Sequence, residues 1–292
     1  MDNEYKKINL QQNSSEKENN WEIAFGLQTI DNLEPSKYLK ELSRENIAGE
    51  IDLYNIESLL YSHYKNETVE QKKNREKEAD IVATRINLLL QGGSFPLAHT
   101  GLQSIHRFLF KDILENPGEF RTYNISKAEP ILNGNTVKYA NYFTIKDTLV
   151  YDFEEEREIR YSRLTKHEVI KRIAEFTARI WQVHPFGEGN TRTTAIFMEQ
   201  YLNTIGFNVD NTLFKNKSKF FRNALVRGNY ADYSNKIELD FKPLYSFFEN
   251  LLYKSANELS STQIIVKECF NDNNDVTNHL STPTQSRDDE EL

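Results

Sequence analysis

The eleven residues HPFGEGNTRTT, His184 to Thr194, join two apolar helical patterns. Upstream, TKHEVIKRIAEFTARIWQV puts Val169, Ile173, Phe176 and Ile180 on one face, and Thr165 and Glu168 have capping-box spacing. Downstream, TRTTAIFMEQYLNTI puts Ala195, Met198, Leu202 and Ile205 on another face, ending at Gly206. Pro185 biases His184 away from helical geometry, so the first helix stops at the histidine. Gly189 can take the positive φ of a tight helix entry, with Asn190 or Thr191 as cap. The amides of Gly187, Glu188, Gly189 and Asn190 then converge at a helix N-terminus, an arrangement that attracts anions and phosphate above all.

The side chains fit that chemistry. Glu188 beside a phosphate site suits Mg²⁺, which takes one carboxylate together with phosphate oxygens. Arg192 can fork onto phosphate oxygens. His184 titrates near neutrality and can take a proton from an attacking hydroxyl. Phe186 reads as an inward anchor. Ordinary turn chemistry accounts for each residue singly, but not for their joint presence beside a helix start.

Working outward, the chain of 292 residues has 38% hydrophobic and 12% aromatic content, enough for a substantial core. Its net charge of −8 argues against general nucleic-acid or membrane-surface binding. A lone cysteine, Cys269, excludes an internal disulfide framework and a cysteine zinc cluster. No secretory leader or membrane span is legible, so a cytoplasmic protein is expected.

Four regions are expected: a disordered N-terminus over 1–19, a helical N-terminal region over 20–94, a catalytic domain over 95–255, and a helix end with a disordered tail over 256–292. Residues 68–90, charged and then apolar, read as one helix, and PLAHTGLQSIHRFLFKDI reads as another. Between Phe120 and Phe153 the composition is strand-like, and Asn133-Gly134 is a strong hairpin signal. The fold class expected is all-α, a helical bundle with one β-hairpin flap over the loop.

HPFGEGNTR resembles the signature of Fic proteins, H-x-F-x-[DE]-G-N-G-R-x-x-R, and the likeness extends over roughly 95–250. The resemblance implies a Fic-type fold and transfer of AMP from ATP, with Mg²⁺, to a Ser, Thr or Tyr hydroxyl of a protein target, the chain itself included. It makes His184 the base and Glu188 the Mg²⁺ ligand. Gly187, Gly189, Asn190 and Thr191 become the phosphate cradle and Arg192 its cation. Lys127 and Ala128 match flap positions near the nucleotide, and Asn223 is the adenine-side candidate. The flap, with Ile125, Asn133, Gly134, Val137 and Tyr139, implies a clamp for the target. The family's inhibitory pattern [ST]-x-x-x-E-[GN] is met by Ser14, Glu18 and Asn19, with a chance match as the alternative. The N-terminal helices look like an antitoxin-type regulatory module, the alternative being a plain scaffold. A homo-oligomer is compatible with this reading.

Two departures stand out. Thr191 replaces the third glycine, and Ala195 replaces the second arginine. The alternatives are therefore Doc-like protein phosphorylation, against which Gly189 argues, and a degenerate module that binds nucleotide or protein without turnover.

Overall fold

A computed structural model describes residues 13–92, 95–209 and 211–266. Eleven α-helices are found among them. In the N-terminal region these are α1 (Ser14–Gln28), α2 (Lys37–Ala48), α3 (Leu53–His63), α4 (Val69–Asn74) and α5 (Glu76–Leu90). The remainder are α6 (His99–Phe110), α7 (Ile145–Arg157), α8 (Lys166–Val183), α9 (Asn190–Thr204), α10 (Leu213–Gly228) and α11 (Lys242–Tyr253). Several boundaries follow from local chemistry. Thr165 and Glu168 form the capping box of α8, and Gly49 closes α2 in the left-handed conformation.

One continuous core runs through all of these helices except α4, which buries no residue. The first helix packs between α5 and α10, burying Trp21, Ile23, Ala24 and Leu27. Gly26 makes that approach possible, because a Cβ there would lie 2.4 Å from the Phe214 carbonyl oxygen of α10. The N-terminal region is thus built into the domain rather than appended to it.

Five expectations change. Residues 13–19, expected to be disordered, are the N-cap and first turns of α1, where Asn13 and Glu16 form a capping box. The helix expected over 68–90 is two, broken at Arg75, which adopts φ 52° and ψ 37°. Residues 145–153, the end of the stretch read as strand-like, are helical and open α7, which runs to Arg157. Ile145, Leu149, Phe153 and Glu156 are buried at helical spacing, and this periodicity outweighs β-propensity. The C-terminal helix stops at Tyr253, and residues 259–266 run back over the domain, burying Leu259, Ile264 and Val266. The rest of the tail expected to be disordered, and residues 1–12, lie outside the described residues.

The flap is the fifth change. Among the described residues, 125–140 contains no strand; its one regular element is a 3₁₀ turn at Pro130–Leu132. Asn133 and Gly134 do take positive φ, 52° and 86°. The turn nevertheless closes on itself, with the Gly134 N–H donating to the Glu129 carbonyl at 3.0 Å and the Glu129 N–H to the Asn135 carbonyl at 2.9 Å. A backbone group that a ladder would use is taken elsewhere: the Val266 N–H donates to the Ile131 carbonyl at 2.8 Å, and the Asn133 side-chain amide reinforces this by donating to the Val266 carbonyl at 2.9 Å.

Candidate active site

The loop Pro185–Gly189 joins the C-terminus of α8 to the N-terminus of α9 and walls a cleft of about 680 Å³, a volume ordinary for small-molecule sites. His184, Gly187, Glu188, Gly189, Asn190 and Thr191 all line it. Across from them, Ile125, Lys127, Ala128 and Tyr139 of the flap and Asn223 of α10 complete the wall. Most of the residues expected at the site therefore converge on one cavity.

Local interactions hold the loop rigidly. The Asn190 side chain accepts from the Phe186 N–H at 3.0 Å and donates to the Phe186 carbonyl at 2.8 Å, so it clasps the loop. Gly189 sits at φ 72°, and a Cβ there would meet the Phe110 ring at 2.4 Å. No side chain caps α9. Its first N–H groups, without intrahelical partners by geometry, include those of Asn190 and Thr191, which line the cleft. The Thr191 hydroxyl accepts the Trp181 indole N–H at 2.9 Å. That bond accounts for a threonine where the signature has glycine, since a buried indole N–H needs an acceptor.

His184 caps α8 in the left-handed conformation, φ 49°. Its Nδ1 faces the Trp181 carbonyl at 3.3 Å. A carbonyl only accepts, so Nδ1 carries the proton and Nε2 keeps its lone pair. Tyr139 lies against the imidazole at 4.3 Å between ring centroids, and Trp181 meets it edge-on at 5.2 Å. Burial pushes the His184 pKa down to about 3. The Trp181 carbonyl opposes that shift, and the charges of Arg222, Lys127 and Arg121 add to it. The imidazole is neutral at pH 7.

Two supports for this arrangement are absent from the sequence reading. His106 of α6 stacks on Phe186 at 3.8 Å. Its Nδ1 accepts the Gly118 N–H at 2.8 Å, which puts the proton on Nε2, directed at the Glu188 carbonyl at 3.1 Å. Arg121 is buried and donates to the carbonyls of His184 at 2.8 Å, Val183 at 3.2 Å, Tyr123 at 2.6 Å and Ala140 at 2.5 Å. It ties the end of α8 to the base of the flap, as a cation at a helix C-terminus should.

The neutral histidines give a testable sign. Burial lowers His106 to about 4 and His184 to about 3, whereas an unfolded histidine binds its proton near 6.5. Their contribution to stability is complete above about pH 6.5 and declines as pH falls toward the folded values. Buried Asp80, Asp152 and Glu199 are shifted upward, mainly by burial, and act in the opposite sense. The comparison that isolates His106 is with His106→Asn. Urea unfolding between pH 7 and 4.5 should show the wild type losing more stability than the variant, with a slope difference approaching about one proton.

Arg192 differs most from expectation. It is fully buried and does not line the cleft. Its Nη1 donates to Gln28 Oε1 at 3.0 Å and its Nη2 to Glu78 at 2.7 Å. Its Nε lies 2.9 Å from Asp31, close but not aligned for a hydrogen bond. The guanidinium also covers the Phe110 ring at 4.8 Å. This arginine is tied to the N-terminal region through Gln28, Asp31 and Glu78. Glu188, half-exposed, is paired to Arg75 at 2.7 Å, and Arg75 in turn to Glu78 at 2.6 Å.

The flap and N-terminal candidates divide. Val137 is buried in the core, Asn133 is tied to Val266, and Gly134 is exposed at the turn; none of the three lines the cleft. Ser14 and Glu18 are exposed near the start of α1, with Glu18 about 15 Å of helix from Gln28. The far end of α1 is what reaches the cleft, through Ile30, Asp31 and Asn32. Asp31-Asn32 offers the acid and amide of the inhibitory pattern, with Leu27 in place of its Ser or Thr.

As for a metal, one carboxylate, Glu188, stands on the cleft wall beside the bare helix end. No cluster of three or more potential ligands exists among the described residues. That donor set fits Mg²⁺ completed by phosphate oxygens and water, provided that Arg75 gives up the carboxylate.

Residues 96–202 match the model of the Fic/DOC family. This part of the chain is a Fic/DOC domain. Among curated proteins, it is similar to the probable protein adenylyltransferase y4lH of Sinorhizobium fredii, 26% identical over 163 residues that cover 56% of this chain and 80% of that one. It is also similar to the protein adenylyltransferase VbhT of Bartonella schoenbuchensis, 29% identical over 121 residues, 40% of this chain and 23% of that one. The fold is similar to the N-terminal FIC domain of the Bep8 protein, a VirB-translocated effector of Bartonella sp. 1-1C. That match has TM-score 0.50 and 18% identity, and covers 68% of this chain and 93% of the other. Among the described residues, no helix is long and apolar enough to cross a membrane.

Proposed function

We propose that this Fic/DOC domain transfers AMP from ATP to a hydroxyl of a protein target. The observation that carries the reading is a neutral imidazole whose Nε2 lone pair is free, on the same cleft wall as an uncapped helix N-terminus. The relatives named as protein adenylyltransferases support it.

In this mechanism the amides at the start of α9 and the loop glycines hold the phosphates and stabilise charge that develops on them. The target hydroxyl oxygen attacks the α-phosphorus while His184 Nε2 takes its proton. The new O–P bond forms as the bond from the α-phosphorus to the bridging oxygen breaks, and pyrophosphate leaves. Held by Glu188, Mg²⁺ would supply charge neutralisation on the phosphates. Ile125 and Tyr139 on the flap would contact the target segment or the nucleoside, and Asn223 would lie on the nucleoside side. Arg192 has no part in the phosphate chemistry; it positions α9 from behind.

Incubation with α-labelled ATP and Mg²⁺ should label a protein hydroxyl, and His184→Ala should reduce labelling by at least about a thousandfold, within or beyond the range for a general base. Label arriving only from γ-labelled ATP would replace AMP transfer by Doc-like phosphorylation. ATP binding with no transfer of either label to any protein would reduce the site to a binding module.

A further inference from the structure

The cleft has to neutralise a polyphosphate, so the fate of each nearby cation matters. Arg192 is buried behind the loop. Arg222 is committed to the Glu129 carboxylate through both Nη atoms, at 2.8 Å each. Lys127 and Lys219 are exposed, long and unbraced by an ion pair among those found. Arg75 is different. It lines the cleft with its side chain 39% exposed, and its guanidinium is held in place on Glu78 and Glu188.

Its backbone reinforces the point. Arg75 stands at the α4–α5 break with φ 52°, a conformation that non-glycine residues rarely adopt and that recurs at ligand clamps. The result is an arginine from the N-terminal region fixed beside the carboxylate best placed for a metal. When Glu188 turns to a cation, Nη2 of Arg75 loses that partner while Glu78 still braces the guanidinium from behind, through Nε at 2.8 Å and Nη2 at 2.6 Å, leaving Nη1 and the other Nη2 hydrogen to the cleft. The guanidinium then presents a charged fork to the cleft, and phosphate oxygens match a fork well.

Resting on the nucleotide reading above, we propose that Arg75 is a ligand for the phosphates beyond the α-phosphate, exchanging Glu188 for the nucleotide as the site loads. The carboxylate it holds beforehand acts as a placeholder for those phosphates, so Arg75 sets a preference for nucleoside di- and triphosphates over AMP.

Calorimetric titration of the full chain with ATP, ADP and AMP tests this without turnover if EDTA is present, and again with Mg²⁺ and the His184→Ala background. Arg75→Ala should weaken ATP and ADP binding roughly ten- to hundred-fold, as removal of a charged hydrogen-bond partner does. AMP binding should stay within about twofold. In EDTA, Glu188→Gln should tighten ATP binding when Arg75 is present and not when residue 75 is alanine, a coupling that mere bracing of the loop would not produce. Arg75→Lys, which keeps a charge but not a fork, should fall between wild type and Arg75→Ala, and serves if the alanine variant does not fold. Equal effects on ATP and AMP, or none, overturn the role of Arg75 and leave the nucleotide site standing. If the unaltered chain binds none of the three nucleotides, both readings fall.

Discussion

Arg192→Ala is expected to destabilise the fold by roughly 3–5 kcal/mol, the usual result of breaking a buried ion-pair network from one side. The guanidinium has no exposure, and its removal leaves Glu78, itself buried, with one fewer counter-charge. Gln28 loses a donor and the face of Phe110 loses its cation. Against a typical total of about 5–15 kcal/mol, that is enough to lower the urea midpoint substantially.

The pattern of related variants gives this prediction its content. Arg192→Lys keeps one charge but cannot reach Gln28, Asp31 and Glu78 together, so it should recover only part of the loss. Combining Arg192→Ala with Glu78→Gln removes the buried carboxylate left with Arg75 as its one remaining cation and should recover more than additivity allows. Were Arg192→Ala as stable as wild type but defective in nucleotide binding, the arginine would be a phosphate ligand after all, reached by a rearrangement of the N-terminal region.

What could be read from the sequence divides along physical lines. Helices with one apolar face, such as α6 and α8, were legible because periodicity and capping are local. The loop was legible because its chemistry lies within His184–Arg192. The networks behind it were not: Asp31, Glu78 and Arg192 are 47 or more residues apart in pairs, or join across regions that periodicity treats separately. Arg192 shows none of these partners in the sequence for that reason. Its position in the first turn of α9 suggested an anion in front, whereas the anions lie behind, on α1's end and α5. The flap failed differently. Asn133-Gly134 took the expected φ values, but turn chemistry fixes a reversal and not the pairing of its arms, and here Val266 takes one of them. His106 and Arg121 looked like ordinary helix and loop residues, and only the fold shows what they hold.

These networks also decide what the N-terminal region does. A detachable inhibitor would leave an intact, activated domain when removed. Deleting residues 1–92 is instead expected to give an aggregated or non-cooperative product with no transferase activity. The deletion removes Ile23, Leu27, Ile81, Val82 and Ile86, each essentially inaccessible and each contributing about 1.5–3 kcal/mol by burial, together comparable to the whole stability of a domain. It uncovers the face of α10 on which α1 packs. It also strips Arg192 of Gln28, Asp31 and Glu78 at once, leaving an unpaired charge beneath the loop. Size-exclusion chromatography and thermal unfolding of residues 93–292 provide the measurement. A soluble monomer with a single sharp transition and raised AMP transfer would show that the region is a removable brake. Failure to fold, with partial rescue by Arg192→Met, would show that the region is the back wall of the active site and that the loop's geometry depends on it.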